Sequence, residues 1–451
     1  MLRLVSFCRS LYCDSMTEAF IGYEFNQRFY GDSEKRQVLL DGQPLPIALT
    51  GMEYDILEFF LQHPKKLFKR EAVEPLKKHH RGRHPLDDYL SKIRSKLGLR
   101  PNELFVLTRS VGYTLDANVR PISASDNQEG GDIFKASELH FNTHTVDSMR
   151  ESLKQSLQAL EINPHGLADA HITAAYDYIN LSQAAYAAEI PIKVMDHARW
   201  HAAEALKEPS TLSAAQGVLG LISLIYDYDW KESEKQLKEA LALDPNDVAT
   251  LLSYAHLRVS SGRFQEGIQS IETAVRIDST DRIVHASMGW MHLFAGDVEE
   301  AIELGEKTKY LYPDLPPAYV ILGWAYEAAG LHDAARKHYE TSLEKEYSPA
   351  ALASLGHLLG KLGQRPEALR TLKELDLQRK RGLTSYVPGY CRALVYAGLN
   401  EVDKCLKALD DAYVQKCDWL IHLSVERRWD PVRNEPGFKR LVEKIGIPRN
   451  G

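Results

Sequence analysis

Apolar and polar positions change rhythm three times along the chain. Between Phe25 and Leu45 they alternate as in strands that bury one face, with Asp41-Gly42 in VLLDGQPLPI as a hairpin turn signal. From Thr50 the spacing lengthens to three and four. Leu57, Phe60 and Leu61 share a helical face, Thr50 and Glu53 form a capping box, and Pro64 ends the helix. A second short helix is expected in KREAVEPLKK, followed by the polar tract HHRGRHP. The third, LDDYLSKIRSKLG, buries Leu86, Leu90, Ile93 and Leu97, leaves Tyr89, Lys92, Arg94 and Lys96 off that stripe, and stops at Gly98. LFVLTRSVGYTLDA then predicts two strands around a tight turn at Ser110 to Gly112, with Arg109 just before it.

Residues 119–143 are polar, contain Gly-Gly and show no helical period, so a linker is expected there. Beyond it a new beat begins. Gly262, Gly296, Gly330 and Gly363 are separated by 34, 34 and 33 residues; Gly289, Gly323 and Gly356 keep the same interval, as do Ala301, Ala335 and Ala368. Pro245 and Pro313 lie two periods apart. Antiparallel helix pairs require such a pattern: a small residue lets the two helices approach, a glycine closes the first, and a proline stops the second. About seven pairs between 144 and 415 would stack into a solenoid with atypical ends.

Composition adds limits. At 451 residues, 44% hydrophobic and 26% charged, the chain is long enough for several domains or for one domain and a repeat array. No run approaches about 18 consecutive apolar residues, so no membrane-spanning segment is expected. The opening MLRLVSFCRSLYCDS is a poor signal peptide, and Met16 serves as well as Met1 for a start. Cys8, Cys13, Cys391, Cys405 and Cys417 show neither CxxC spacing nor a His partner, so a reducing cytosol fits better than a disulfide framework or a zinc site. Phosphate-loop, dinucleotide, HExxH and GxSxG motifs are all missing, so neither an enzyme nor a cofactor is expected.

Charge divides the chain. The total is −7, yet His63 to Arg109 holds thirteen Lys and Arg against five Asp and Glu, an excess of +8 that leaves −15 for the remainder. A basic module that meets a polyanion, attached to an acidic body, accounts for this; a solvated basic surface is the plainer alternative.

The pieces LPIALTGMEYDIL, LFKREAV, HPLDDYLSKIRSKLG and LFVLTRSVGYTL, in that order, resemble the OmpR/PhoB-type transcriptional effector domain over about residues 20–118. The resemblance implies a winged helix-turn-helix whose third helix enters the major groove of double-stranded DNA while Arg109 approaches the minor groove. His84, Tyr89, Ser91, Lys92, Arg94, Arg109 and Tyr113 fall where the family contacts DNA. Departures are Asp88 at a groove-facing position, and His84 and Ser91 where Arg is frequent. For Tyr113 the alternative is packing within the wing. KKHHRGRH (77–84) corresponds to the loop that meets RNA polymerase or extra phosphates; a solvated loop is the alternative.

The 34-residue pattern resembles the tetratricopeptide repeat, most clearly in LGWAYEAAGLHDAARKHYETSL. One residue after the second glycine series stand Trp290, Trp324 and His357, with His256 at the matching place before them. The resemblance puts this position on the concave groove, as a stripe for a peptide or small aromatic ligand; packing between adjacent pairs is the alternative. Residues 416–451 resemble the closing segment of soluble winged-helix and repeat regulators, in which Leu423, Trp429, Pro431, Phe438 and Leu441 would cover the apolar end of the solenoid.

The expected fold is thus mainly α: an N-terminal winged helix-turn-helix followed by an α-solenoid. The composite resembles soluble relatives of the CadC/ToxR and HilA-type regulators. It implies a cytoplasmic bacterial transcriptional regulator with a protein partner or effector on the solenoid and self-association, as a homodimer, on tandem sites. The rival is a repeat-based adaptor whose winged helix no longer binds DNA.

Overall fold

The computed structural model describes residues 20–448 except 26–28, 33–36, 41–42, 46–47, 63–66, 69–84, 98, 100–104, 109–111, 116–118, 142 and 164–166. Two compact units result, 1–133 with 158–167, and 134–157 with 168–451.

In the first unit, β1 (Phe20–Phe25), β2 (Phe29–Asp32), β3 (Gln37–Leu40) and β4 (Gln43–Pro44) form an antiparallel meander. Leu40 pairs with Gln43, the residues flanking Asp41-Gly42. Helix α1 (Gly51–Leu61) starts with the expected capping box: Glu53 N donates to Thr50 Oγ1 at 3.4 Å, and Thr50 N to Glu53 Oε2 at 2.7 Å. Helix α2 (Pro85–Lys96) is the third helix of the sequence reading; the second, expected in KREAVEPLKK, lies outside the described residues. A second sheet joins β5 (Leu67–Phe68), β7 (Gly112–Leu115) and β6 (Phe105–Thr108) in that order, the last two being the wing. Tyr54, Leu57, Phe60 and Leu61 of α1 meet Leu86, Leu90, Ile93 and Leu97, with Phe105 and Leu115 from the wing, in one apolar core. The period-3.6 stripe therefore faces inward as its spacing dictates.

The segment expected to be a linker is structured. Residues Val119–Ser123 form β8, antiparallel to β1 at the edge of the five-stranded sheet, and Ala124–Phe141 form helix α3. Pro121 is compatible with an edge strand, which can spare a backbone N–H. Small residues make several of its contacts: Gly130 lies against Leu167 and the Ala159 carbonyl of α4 (Val146–Ile162), and buried Ser137 receives a hydrogen bond from Ser156 at 3.1 Å, while Phe141 packs near Tyr176.

Seven helix pairs follow among the described residues. They are α5 (Ala168–Ser182) and α6 (Pro191–Ala205), α7 (Leu212–Ile222) and α8 (Trp230–Leu243), α9 (Val248–Ser260) and α10 (Phe264–Ile277), α11 (Arg282–Ala295) and α12 (Val298–Leu311). Then come α13 (Pro316–Ala328) and α14 (His332–Lys345), α15 (Pro349–Lys361) and α16 (Arg365–Lys380), α17 (Gly389–Gly398) and α18 (Val402–Val414). The two glycine series play different parts. Gly262, Gly296, Gly330 and Gly363 close first helices at φ between +74° and +101°, a region that side chains disfavour. In the other series, a methyl group on Gly323 would stand 2.4 Å from the Tyr339 ring, and one on Gly356 2.2 Å from Thr371 Oγ1. Ala301, Ala335 and Ala368 are fully buried at the same beat.

The solenoid curves until its first loop meets its sixth and seventh pairs. Ser348 Oγ donates to the Ala185 carbonyl at 2.8 Å, and Tyr386 hydroxyl to the Ser182 carbonyl at 3.1 Å. One helical run, Pro209–Asp227, is long and apolar enough to cross a membrane, which reading consecutive apolar residues did not reveal; half of it is buried within the solenoid. Cys391, Cys405 and Cys417 are free and buried.

Candidate nucleic-acid interface and concave groove

On the outer side of α2, Ser91 and Lys92 are exposed, and the Lys92 ammonium lies 5.7 Å from the centroid of the half-buried Tyr89 ring, one turn away. Such a pair presents a cation and an aromatic edge together. The neighbouring cations are placed otherwise. Arg94 is half-buried; its guanidinium donates to the Phe105 carbonyl at 2.6 Å and lies over the Phe105 ring, bracing the helix against the wing. Lys96 reaches back to Glu53 Oε2 at 2.6 Å and the Ala48 carbonyl at 2.8 Å. Burial works to raise the Glu53 carboxyl, but Lys96 and the Thr50 N–H outweigh it and hold it below its ordinary range. Spacing alone could not separate Lys92 from Arg94 and Lys96, because their partners come from distant sequence. Tyr113 is on β7, its backbone paired with Phe68 and Leu107; its side chain, His84, Arg109 and the tract 77–84 lie outside the described residues.

The solenoid encloses a cavity of about 400 Å³ on its concave side, and His256, Trp290 and Trp324 line it. Trp290 and Trp324 are buried against their neighbours, as the packing alternative has it, and also border the cavity. The His256 ring sits 4.8 Å from that of Trp290, and the Trp324 indole donates to Ser354 Oγ at 2.8 Å. His357 departs from the stripe. It is buried, with Nδ1 2.8 Å from Glu327 Oε1, and does not line the cavity. An acid on the preceding pair captures the imidazole and draws it into the interior.

Unforeseen was the course of the C-terminal segment. Leu423, Trp429, Phe438 and Leu441 are buried as expected, while Pro431 is exposed and Val432 takes the interior place. Besides covering the last pair, where Gly437 sits on Leu406, the segment runs along the concave face. His422 bonds Ser260 Oγ at 2.8 Å and packs 5.1 Å from Trp290. Trp419 meets Trp324 edge-on at 5.4 Å, and the Ile445 carbonyl accepts from the Trp230 indole at 2.9 Å. Those contacts touch the second, third, fourth and fifth pairs. Polar residues scattered among the apolar ones hid this, because some of them, such as His422 on Ser260, are satisfied by groups across the groove.

Glu327 anchors a second buried network. Burial raises its pKa, but His357, Arg428 and the Tyr339 hydroxyl at 2.8 Å outweigh that and hold the carboxyl at about 2. A depressed carboxyl stabilises the fold above the unfolded value, near 4.5, and loses that contribution as pH falls towards 2. Glu327→Gln is therefore expected to be less stable than the parent at pH 7 by on the order of 2–3 kcal/mol. The gap should narrow between pH 4.5 and 2 in urea unfolding; a gap independent of pH counts against the assignment.

Residues 42–115 match the family described as "Transcriptional regulatory protein, C terminal", and residues 316–344 match the tetratricopeptide repeat. The chain carries an OmpR/PhoB-type effector domain fused to tetratricopeptide repeats, the first a domain of DNA-binding transcription regulators and the second a protein-interaction repeat. Among solved structures it is similar to MamA (26% identity over 36% of this chain and 94% of that one, TM-score 0.29). It is similar also to PilF of Pseudomonas aeruginosa (19%, covering 48% and 90%, TM-score 0.34) and to a thermophilic TPR protein of Thermus thermophilus (17%, covering 45% and 98%, TM-score 0.34). No curated protein matches the chain.

Proposed function

We propose that the protein is a cytoplasmic bacterial transcriptional regulator whose winged helix binds promoter DNA and whose solenoid receives a protein partner or effector. The observation that carries this is the solvent face of α2 within the matched domain: Ser91 and Lys92 exposed beside Tyr89, opposite a fully buried leucine stripe. Lys92 neutralises a phosphate, and Ser91 and Tyr89 approach the duplex next to it. His84, Arg109 and Tyr113 complete the contact set, and Arg94 acts chiefly by holding the wing against the helix. The tract 77–84 is assigned to RNA polymerase or further phosphates. Self-association as a homodimer through the solenoid raises the effective concentration of one winged helix beside another on tandem sites.

If about six phosphates are neutralised, log affinity of the full chain for duplex DNA should fall with log salt at a slope near −5. Lys92→Ala should weaken binding on all sequences alike and reduce that slope by about 1, read by fluorescence anisotropy. One observation favours a second reading, a repeat-based adaptor: two of the three α2 cations, Arg94 and Lys96, are engaged inside the domain. Binding that ignores salt, or no binding to any duplex, decides for the adaptor.

A further inference from the structure

Building on effector sensing by the solenoid, we infer that its concave cavity is a binding site for a small amphipathic organic cation, an aromatic or apolar body bearing one ammonium group. The space, about 400 Å³, suits a small molecule. Its walls include the indoles of Trp290 and, from the C-terminal segment, Trp419; that of Trp324 already carries the Arg428 guanidinium over one face. Such faces attract cations electrostatically.

Charge selects the ligand's sign. Asp281, Glu346 and Asp418 border the cavity, and each accepts hydrogen bonds from backbone: Asp281 from Ile283 and Val284 at the start of α11, Glu346 from Val146 at 2.9 Å, Asp418 from Ala184 at 3.0 Å. Among the described residues none of the three forms an ion pair with Lys or Arg. Helix N-termini partly compensate Asp281, at the start of α11, and Glu346, which accepts from the first residue of α4; Asp418 has backbone N–H groups only. Arg428 is the only Lys or Arg in the described lining, and it is paired with Glu426 and laid over the Trp324 ring. The lining imidazoles do not offset the deficit, because burial holds His144 and His256 down at about 4 and His422 well below its ordinary value. Burial also pushes the Asp418 carboxyl up to about 6, a cost to its ionised form that an arriving ammonium would relieve. The Tyr176 hydroxyl, also in the lining, is buried without a hydrogen-bond partner among the described residues. Anions meet repulsion in this enclosure, neutral molecules leave the carboxylates uncompensated, and short aliphatic diamines lack a body to cover the aromatic walls.

The test uses the full-length chain, with tryptophan fluorescence and thermal shift as readouts. Phenethylamine is titrated against 3-phenylpropionate, phenethyl alcohol and 1,4-diaminobutane. Phenethylamine should give a saturable fluorescence change, raise Tm, and bind at least about tenfold more tightly than the other three. Asp418→Asn and Glu346→Gln keep their backbone acceptor oxygens; each should weaken the amine by about tenfold and leave the alcohol unchanged. Two variants guard against one failing to fold, which circular dichroism monitors. Equal or tighter binding of the acid, the alcohol or the diamine, or no saturable change with phenethylamine, overturns the inference. A duplex DNA titration on the same samples separates the two claims. Lost amine binding with intact DNA binding removes the cavity assignment alone, and the converse removes only the regulator.

Discussion

Arg428→Ala is expected to lower the stability of the full chain by about 3–5 kcal/mol, because it strands a buried carboxylate. Glu426 is 2% exposed, and its Oε1 is held by the Arg428 guanidinium, which also donates to Ser354 Oγ at 2.9 Å and lies 4.7 Å from the Trp324 ring centroid. The other carboxylate oxygen accepts from Tyr390 hydroxyl and from the Trp429 indole at 3.1 Å, so the acid joins α17 to the C-terminal segment. Arg433 fastens the same stretch by donating to the Leu423, Ser424 and Glu426 carbonyls. Removing the guanidinium leaves a buried charge with only the neutral Tyr390 and Trp429 donors, and the segment that closes the groove loses its link to α13 and α15. Urea unfolding measures the loss. The paired variant Arg428→Met with Glu426→Gln removes both charges and should recover more than half of the deficit. A single substitution costing under about 1 kcal/mol would show that water reaches Glu426 and that the pair is not buried.

Much of this architecture was legible in the sequence, for identifiable reasons. Leu86, Leu90, Ile93 and Leu97 face the core because a 3.6 period admits one apolar side. The repeat glycines are readable because steric demands recur every 34 residues: a positive φ at one position and a close helix contact at the other. Helix α3 was missed because Gly130 and Ser137 make contacts through backbone proximity and a hydroxyl, which leave no hydrophobic trace. In the proposed DNA-contact set, the residue types pointed to the face of α2 away from the core but could not distinguish an exposed Lys92 from an Arg94 bonded to Phe105, eleven residues away. The groove stripe was recoverable for His256, Trp290 and Trp324, and failed at His357 because Glu327 is an interaction of the folded chain only. Least legible was the C-terminal segment, whose partners lie up to 234 residues away, as in the Ala184 and Asp418 hydrogen bond.

Gly398→Ala should be the most damaging of the glycine substitutions, at about 3 kcal/mol or more. The added methyl would stand 2.2 Å from the His357 carbonyl oxygen and 2.7 Å from its Cα, both backbone atoms of α15. No rotamer change relieves such a contact, so α15 and α17 must separate. Gly360 on the opposite helix meets the Gly398 carbonyl carbon at 2.7 Å in the same way, and the two glycines together permit this approach. Separation would also shift His357 from Glu327 and Arg428 from Ser354, since both partners lie on α15 or bear on it. The Gly330→Ala control has nothing within 4 Å of the new methyl and bears only the strain of φ +75°, for which about 1–2 kcal/mol is expected. Gly323→Ala, confronted by the Tyr339 ring at 2.4 Å, should fall between, because a side chain can yield where a backbone cannot. Unfolding free energies in that order establish helix approach, rather than backbone freedom, as the main reason for glycine at positions 360 and 398; equal losses at Gly398 and Gly330 would refute it.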